Sequence, residues 1–130
     1  MACQNFNRSD TNSHAFPQLT RQHDVVIIGE PRIINIKNTF FQVSHPTFQL
    51  ATPTAKHTKI SIYVSKKFRN YHTIINCQHT IVHIIICTTT IYGLYAAGTD
   101  TVEDLKDDLV NIRNNGRVCI LGDFNAHHSA

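Results

Sequence analysis

The sequence predicts an α/β protein built on a mixed β-sheet with flanking helices. Short runs rich in Val, Ile and Thr, which are typical of strands, recur from residue 24 to residue 122. One stretch, 101–114, changes instead to the three- and four-residue spacing of a helix. With 130 residues, 42% of them hydrophobic and 16% charged, the chain is long and apolar enough to bury a core, and disorder is excluded.

The first elements are a short strand, a weak helix and an apolar strand. The letters ACQ before Asn5 give an abbreviated first strand. A helical pattern follows over roughly 9–22, in which Pro17 is expected to interrupt the backbone hydrogen bonding. The β-branched run DVVII (24–28) then predicts a strand, which the turn residues GEP end.

The middle of the chain predicts a loop and three further strands. Several Pro, Thr and Asn residues make 32–58 a loop with one short strand near Phe48 to Leu50. KISIYVSK (59–66) alternates apolar and polar residues with the period of a strand. The Ile- and Thr-rich stretch that follows is expected to form two strands, 80–87 and 89–95.

The last part predicts a helix followed by a buried strand. Thr101 with Asp104 forms a plausible N-cap pairing, and Gly116 can end the helix. Its apolar positions follow helical spacing: Val102, Leu105, Leu109 and Ile112. RVCILG (117–122) is the strand that follows.

Polar residues follow three of these strands directly. Glu30 comes after VVIIG, Tyr95 after TTIYGL, and Asp123 with Asn125 after RVCILG. Residues at the carboxyl ends of strands commonly form sites in such folds, and two carboxylates suit a hard cation such as Mg²⁺. The alternative is that each acid only caps a turn, which is the more frequent role of an isolated acid there.

Five segments in one order resemble the endonuclease domain of non-LTR (LINE-type) retrotransposons. They span nearly the whole chain: QNFNRS, DVVIIGEPRI, SHPTFQL, IYGLYAAG and ILGDFNAHHSA. GDFNAHH is the most specific, and Glu-Pro after an apolar strand is the second. That domain belongs to the exonuclease–endonuclease–phosphatase superfamily, with apurinic endonucleases and DNase I. The resemblance implies that residues 1–130 form the N-terminal portion of a four-layer α/β sandwich.

The resemblance also implies roles for five residues in a Mg²⁺- or Mn²⁺-dependent DNA endonuclease. Asn5 would contact the metal or the scissile phosphate, and Glu30 would hold the metal. Tyr95 would hydrogen-bond the phosphate, Asp123 would orient the attacking water, and Asn125 would position both. The family nicks target DNA to prime reverse transcription, so DNA is the expected partner and the nucleus the expected location.

The sequence departs from the family pattern in several places. Gly29 stands where the family usually has Gln, and Gly93 where Asn is common. The family later supplies a second aspartate and an Asp–His pair; His127 and His128 are not that pair.

We therefore expect a truncated domain, and three hypotheses stay open. The chain is an enzyme completed by dimerisation, a non-catalytic fragment that binds or interacts, or a poorly folding remnant.

Other histidines and cations have weaker functional interpretations. His79, His83, His127 and His128 suggest zinc, but no third ligand has motif spacing, so surface histidines are the preferred interpretation. KKFRN (66–70), with Lys56 and Lys59, could touch a nucleic-acid backbone. A solvated surface turn is favoured there, because the net charge is only +3.

The sequence predicts an intracellular protein without a membrane segment. The N-terminus MACQNFNRSD has no apolar leader region, and the longest apolar stretch, TIVHIIIC, is too short to span a bilayer. The four cysteines form no CxxC pair, which favours reduced thiols. The oligomeric state is left open.

Overall fold

The computed structural model describes residues 1–6, 8, 14–68, 71–74, 81–86, 89–95 and 117–123. Within them lie one helix and ten strands. The helix is α1 (Phe16–Gln22). The strands are β1 (Ala2–Asn5), β2 (Val25–Gly29), β3 (Ile34–Ile36), β4 (Thr39–Phe41), β5 (Phe48–Leu50), β6 (Ile60–Ser65), β7 (Tyr71–Ile74), β8 (Ile81–Ile86), β9 (Thr89–Tyr95) and β10 (Arg117–Asp123).

The strands form two four-stranded sheets and a separate hairpin. The first sheet has the order β1-β2-β6-β5 and the second the order β10-β9-β8-β7, while β3 pairs with β4. Each large sheet is mixed: β1 is parallel to β2 and β10 to β9, and the remaining neighbours are antiparallel. Contacts of β1 with β10 and of β6 with β9 bring the sheets together. The predicted mixed α/β class is confirmed, with two sheets where one was expected.

The apolar run of β2 is explained by burial on both faces. Val25 and Ile27 pack between the sheets, against Ile62 of β6 and Ile91 of β9. The alternate residues of β2 belong to a second cluster on the outer face of the first sheet, which includes Phe16 of α1. A strand covered on both sides loses the alternation of a half-buried strand and becomes continuously apolar.

Helix α1 begins later than the sequence predicted, and this removes the conflict with proline. The N-cap is Ala15, and Pro17 lies in the first turn. Backbone N–H groups in the first turn have no intrahelical partner, so proline costs no hydrogen bond there. The Thr20 hydroxyl donates to the Phe16 carbonyl oxygen at 3.1 Å.

Several predicted strands are confirmed, and three others were missed. The structure has strands within 59–66, 80–87 and 89–95, one at Phe48–Leu50, and one at Arg117–Asp123 that extends the predicted 117–122 by one residue. The missed ones are β7 and the β3–β4 hairpin, which lies inside the predicted loop 32–58. The predicted helix 101–114 lies outside the described residues.

No helix in the described part of the chain is long and apolar enough to cross a membrane.

The hairpin was missed because its turn lacks glycine. Lys37 and Asn38 both have positive φ, 48° and 62°. Positive φ at both central residues is the signature of a tight hairpin turn, which Asn-Gly usually marks. The Asn38 N–H donates to Oδ1 of Asn35 at 3.1 Å, which stabilises the turn locally.

The two glycines that depart from the family pattern have different surroundings, and opposite responses to substitution are expected. A Cβ on Gly93 would lie 3.2 Å from Cγ2 of Ile60 and 3.4 Å from Cδ1 of Ile62 in the opposing sheet. Gly93→Asn should therefore lower the free energy of unfolding by about 1–3 kcal/mol through overpacking. A Cβ on Gly29 has only ordinary contacts, 3.7 Å or more, with Asn5.

Gly29→Ala is the matched control. It should leave stability unchanged or raise it by about 0.5–1 kcal/mol, because glycine in a strand interior is entropically unfavourable. Denaturant unfolding of both variants and the parent chain measures the two effects. Equal stability of Gly93→Asn and the parent would show that the sheets do not approach closely at Gly93.

Candidate active site

The carboxyl ends of two parallel strand pairs meet at one edge of the molecule. In the first sheet Asn5, which ends β1, is in register with Gly29 of β2. In the second sheet Asp123, which ends β10, is in register with Tyr95 of β9. The edge strands β1 and β10 contact each other, so the two pairs are neighbours. Four strand ends therefore lie together at what we call the catalytic edge, which comprises Asn5, Glu30, Tyr95 and Asp123.

A hydrogen bond links the two sheets at this edge. The Tyr95 hydroxyl donates to Oε1 of Glu30 at 2.9 Å, across 65 positions of sequence. Both residues are half-buried. A carboxylate has about four lone-pair positions, so accepting one hydrogen bond leaves capacity for a cation or another donor.

Glu30 has an unusual backbone conformation that its neighbours hold in place. Its φ is 46°, in the left-handed region that few non-glycine residues occupy. Its N–H donates to the carbonyl oxygen of Lys59, and its own carbonyl oxygen accepts the N–H of Arg8, both at 2.8 Å. Such strain costs about 1–2 kcal/mol and is concentrated at functional sites, where surrounding contacts maintain it. These contacts hold the Glu30 backbone in register although Gly29 precedes it.

A cleft of about 280 Å³ opens beside the catalytic edge. It is lined by residues of both sheets: Cys3, Gln4, Asn5, Ile27, Gly29, Ile60, Leu94 and Gly122. This volume holds several water molecules, and it lies just below the usual range of pockets for drug-sized ligands. The cleft thus suits a small polar group with its hydration better than a large enclosed ligand.

The donor set at the edge fits magnesium or manganese rather than zinc. Glu30 offers a carboxylate and Asn5 an amide, and Mg²⁺ commonly takes one or two carboxylates while it keeps several waters. Zinc is usually held by three or four protein ligands, most often His and Cys. Among the described residues, no group of three or more His, Cys, Asp or Glu side chains is placed to hold a metal ion.

The structure brings most of the predicted site residues together. Asn5, Glu30 and Tyr95 lie at the catalytic edge. The backbone of Asp123 ends β10 there, in register with Tyr95. Asn125 lies outside the described residues. Of the four histidines considered for zinc, the described part of the chain contains His83 alone, in β8.

The SHPTFQL segment, part of the family resemblance, has a structural role away from the catalytic edge. The His45 ring meets Phe16 and Phe48 edge-on, with centroid distances of 5.8 and 5.2 Å. Its Nε2 atom is 3.2 Å from the Thr20 hydroxyl. The segment therefore joins α1 to β5.

The basic stretch considered in the sequence divides between opposite ends of the first sheet. Strand β6 is antiparallel to β2, with Ile60 opposite Gly29 and Val64 opposite Val25. Lys59 thus lies at the catalytic edge, while Lys66 and Lys67 lie a strand length away, about 20 Å. Arg8 is a neighbour of Glu30 that the sequence analysis did not single out. Lys59 was considered there only as part of a basic surface stretch, not as a neighbour of Glu30. The local sequence signal was the position of Lys59 at the start of the predicted strand 59–66.

Comparisons with known proteins identify the fold. No protein-family model matches this sequence, and no curated protein is significantly similar to it. A solved structure, the 3′ phosphatase NExo from Neisseria bound to product DNA hairpin, matches with a TM-score of 0.54 at 10% sequence identity. The match covers 95% of this chain and 56% of that chain. This similarity shows that the two proteins share a fold, and it agrees with the α/β class predicted from the sequence.

Proposed function

We propose that this chain carries the metal- and phosphate-binding part of a Mg²⁺-dependent DNA endonuclease of the retrotransposon type. The observation that carries the proposal is the Tyr95–Glu30 hydrogen bond, which joins two sheets at the edge where four strands end. A carboxylate and a phenolic donor beside a small cleft suit a phosphodiester. The similarity in fold to a phosphatase solved with DNA supports DNA as the substrate.

In this proposal the residues of the catalytic edge, together with Asn125, divide the tasks of the reaction. Glu30, with the amide of Asn5, holds Mg²⁺ or Mn²⁺. The bound cation supplies Lewis-acid stabilisation of charge on the phosphoryl oxygens. Tyr95 moves its hydrogen bond from Glu30 to a phosphate oxygen when DNA binds. Asp123 orients the attacking water and takes up its proton, and Asn125 donates to the phosphate.

The second candidate function is a non-catalytic fragment that binds without cutting. The chain spans 56% of the length of the phosphatase it matches. Proton handling by positioned groups is alone worth about two to four orders of magnitude. The family's second aspartate and Asp–His pair are absent from these 130 residues. We therefore expect the 130-residue chain to bind the metal and not to nick DNA.

Manganese binding tests the role of Glu30. Mn²⁺ titration followed by electron paramagnetic resonance should show one weak site in the parent chain. In Glu30→Gln that affinity should fall roughly tenfold or more, because the variant loses the charged ligand. Asp24→Asn is the control, since Asp24 is exposed at the opposite end of β2 and pairs with Lys67 at 2.6 Å. Equal binding by the parent and Glu30→Gln would refute the metal assignment.

Nicking of supercoiled plasmid separates the two candidate functions. With Mg²⁺ or Mn²⁺, the purified 130-residue chain should give no nicked product above background. Robust nicking that Glu30→Ala or Asp123→Ala abolishes would reject the non-catalytic candidate and show that these residues suffice for the enzyme.

A further inference from the structure

Lys59 places a positive charge directly beside the Tyr95–Glu30 pair. Its ammonium nitrogen lies over the Tyr95 ring, 5.5 Å from the centroid. Its carbonyl oxygen accepts the Glu30 N–H at 2.8 Å, so its backbone position is coupled to that of Glu30. A cation–π contact of this kind contributes about 0.5–1 kcal/mol at an exposed site. The Lys59 side chain is therefore held at the catalytic edge before any ligand arrives.

Arg8 also contacts Glu30, and its side chain reaches the segment that precedes β6. Its guanidinium group donates to the Thr58 carbonyl oxygen at 2.9 Å, and its N–H donates to the Glu30 carbonyl oxygen. Because a guanidinium has five N–H donors, one bond to a carbonyl leaves several for a ligand. Arg8 and Lys59 thus flank Glu30 with two positive charges against its one negative charge.

The lysines at the far end of the first sheet are already engaged. Lys67 forms an ion pair with Asp24, with Nζ and Oδ2 2.6 Å apart. Lys66 donates to the Pro46 carbonyl oxygen at 2.9 Å. Within the described part of the chain, by contrast, the Lys59 ammonium has no carboxylate as an ion-pair partner. A half-buried cation that forms no ion pair with a described carboxylate, next to a candidate phosphate site, suits an anionic ligand.

We propose that Lys59 and Arg8 bind the DNA phosphate adjacent to the one that Tyr95 contacts. The inference rests on the proposed function for the identity of the ligand, and it adds the residues that hold the neighbouring backbone. The lysine ammonium is a compact positive charge, and the arginine guanidinium is a planar group with several N–H donors. Both groups can donate hydrogen bonds to phosphate oxygens. DNA would then run along the catalytic edge past Thr58, and away from Lys66 and Lys67.

The salt dependence of DNA binding tests this proposal. Anisotropy of a labelled short duplex, with the metal chelated, gives the affinity of the 130-residue chain between about 50 and 200 mM salt. In Lys59→Met the logarithmic slope against salt should become shallower by about one, because one phosphate contact is lost. Affinity at about 50 mM salt should fall roughly tenfold. Lys59→Met with Arg8→Met should lower the slope by about two.

Three further variants make the outcome decisive. Lys67→Met is the matched control and should keep the parent slope, because its ammonium lies at the opposite end of the sheet. Lys59→Arg keeps the charge and should therefore keep the slope of the parent chain. Glu30→Gln should bind Mn²⁺ more weakly, which tests the metal assignment separately from the salt slope. Identical slopes for Lys59→Met, Lys67→Met and the parent, or no DNA binding by the parent, would overturn the proposal.

These results keep the two proposals apart. Glu30→Gln could bind Mn²⁺ as the parent does while Lys59→Met still shows a shallower salt dependence of DNA binding. That result would support the phosphate site and reject the metal-dependent function. If Mn²⁺ binding depends on Glu30 but Lys59→Met has the same salt dependence of DNA binding as the parent, the phosphate site is rejected and the metal assignment is supported.

Discussion

Replacing Ile62 by alanine is expected to lower the free energy of unfolding by about 2–5 kcal/mol. Ile62 is fully buried in the cluster between the two sheets, together with Ile27, Ile84 and Ile91. Truncating its side chain leaves a cavity. The cavity persists because hydrogen bonds between neighbouring strands fix the positions of the backbones around it. Domains of this size have a total stability of only about 5–15 kcal/mol, so this one substitution removes a large fraction.

Ile36→Ala provides the control for this prediction. Ile36 is 56% exposed on the β3–β4 hairpin, and the same chemical change there should alter stability by no more than about 0.5 kcal/mol. Chemical denaturation followed by circular dichroism gives both values. A loss below 1 kcal/mol in Ile62→Ala would mean that the packing between the sheets is loose.

The second large effect is a loss of stability at alkaline pH caused by Tyr63. Burial raises the pKa of Tyr63 from 10.0 to about 12, and the residue is only 4% exposed. The unfolded chain therefore releases this proton near pH 10, while the folded chain keeps it until about pH 12. Above pH 10 the unfolded state binds fewer protons, so stability falls as pH rises. The loss approaches about 3 kcal/mol above pH 12.

Tyr63→Phe separates this effect from the titration of other groups. The Tyr63 hydroxyl donates to the Val43 carbonyl oxygen at 2.7 Å, so the variant should be about 1 kcal/mol less stable at pH 7. It cannot ionise, however, and at pH 12 it should be about 1 kcal/mol more stable than the parent. Denaturant unfolding from pH 8 to 12 measures the crossing. Parallel curves across that range would show that the phenol is not buried.

The strained conformation of Glu30 connects the fold to the candidate function. Two backbone hydrogen bonds, with Lys59 and Arg8, hold φ at 46°, and the carboxylate accepts from Tyr95. The same neighbours are the cations that we propose for DNA binding. A substitution at the catalytic edge can therefore alter both metal and phosphate binding, which is why the variants above change one side chain at a time.

Strands of strong local character were predictable from the sequence. β2, β6 and β10 each combine β-branched or apolar residues with turn residues at an end, and the structure has all three near the predicted bounds. The choice of Glu30, Tyr95 and Asp123 also came from the sequence, because each lies at the carboxyl end of an apolar segment. Helix α1 was only partly predictable, since the local pattern could not show that Pro17 falls in the first turn.

Pairing between distant segments could not be read from local patterns. Nothing near Lys59 in the sequence indicates that β6 is antiparallel to β2, although that pairing brings Lys59 to Glu30 and carries Lys66 away. The apolar runs likewise could not show that the strands form two stacked sheets instead of one.

By itself the sequence determined which segments become strands and which polar residues end them, because residue type and hydrophobic period act over a few neighbouring positions. Only the tertiary structure decided that Tyr95 reaches Glu30 across 65 positions, and that Gly93 faces Ile60 in the opposing sheet. Strand order and sheet stacking depend on burying apolar faces against segments far apart in the chain. That burial is a property of the whole fold, and it places the catalytic edge.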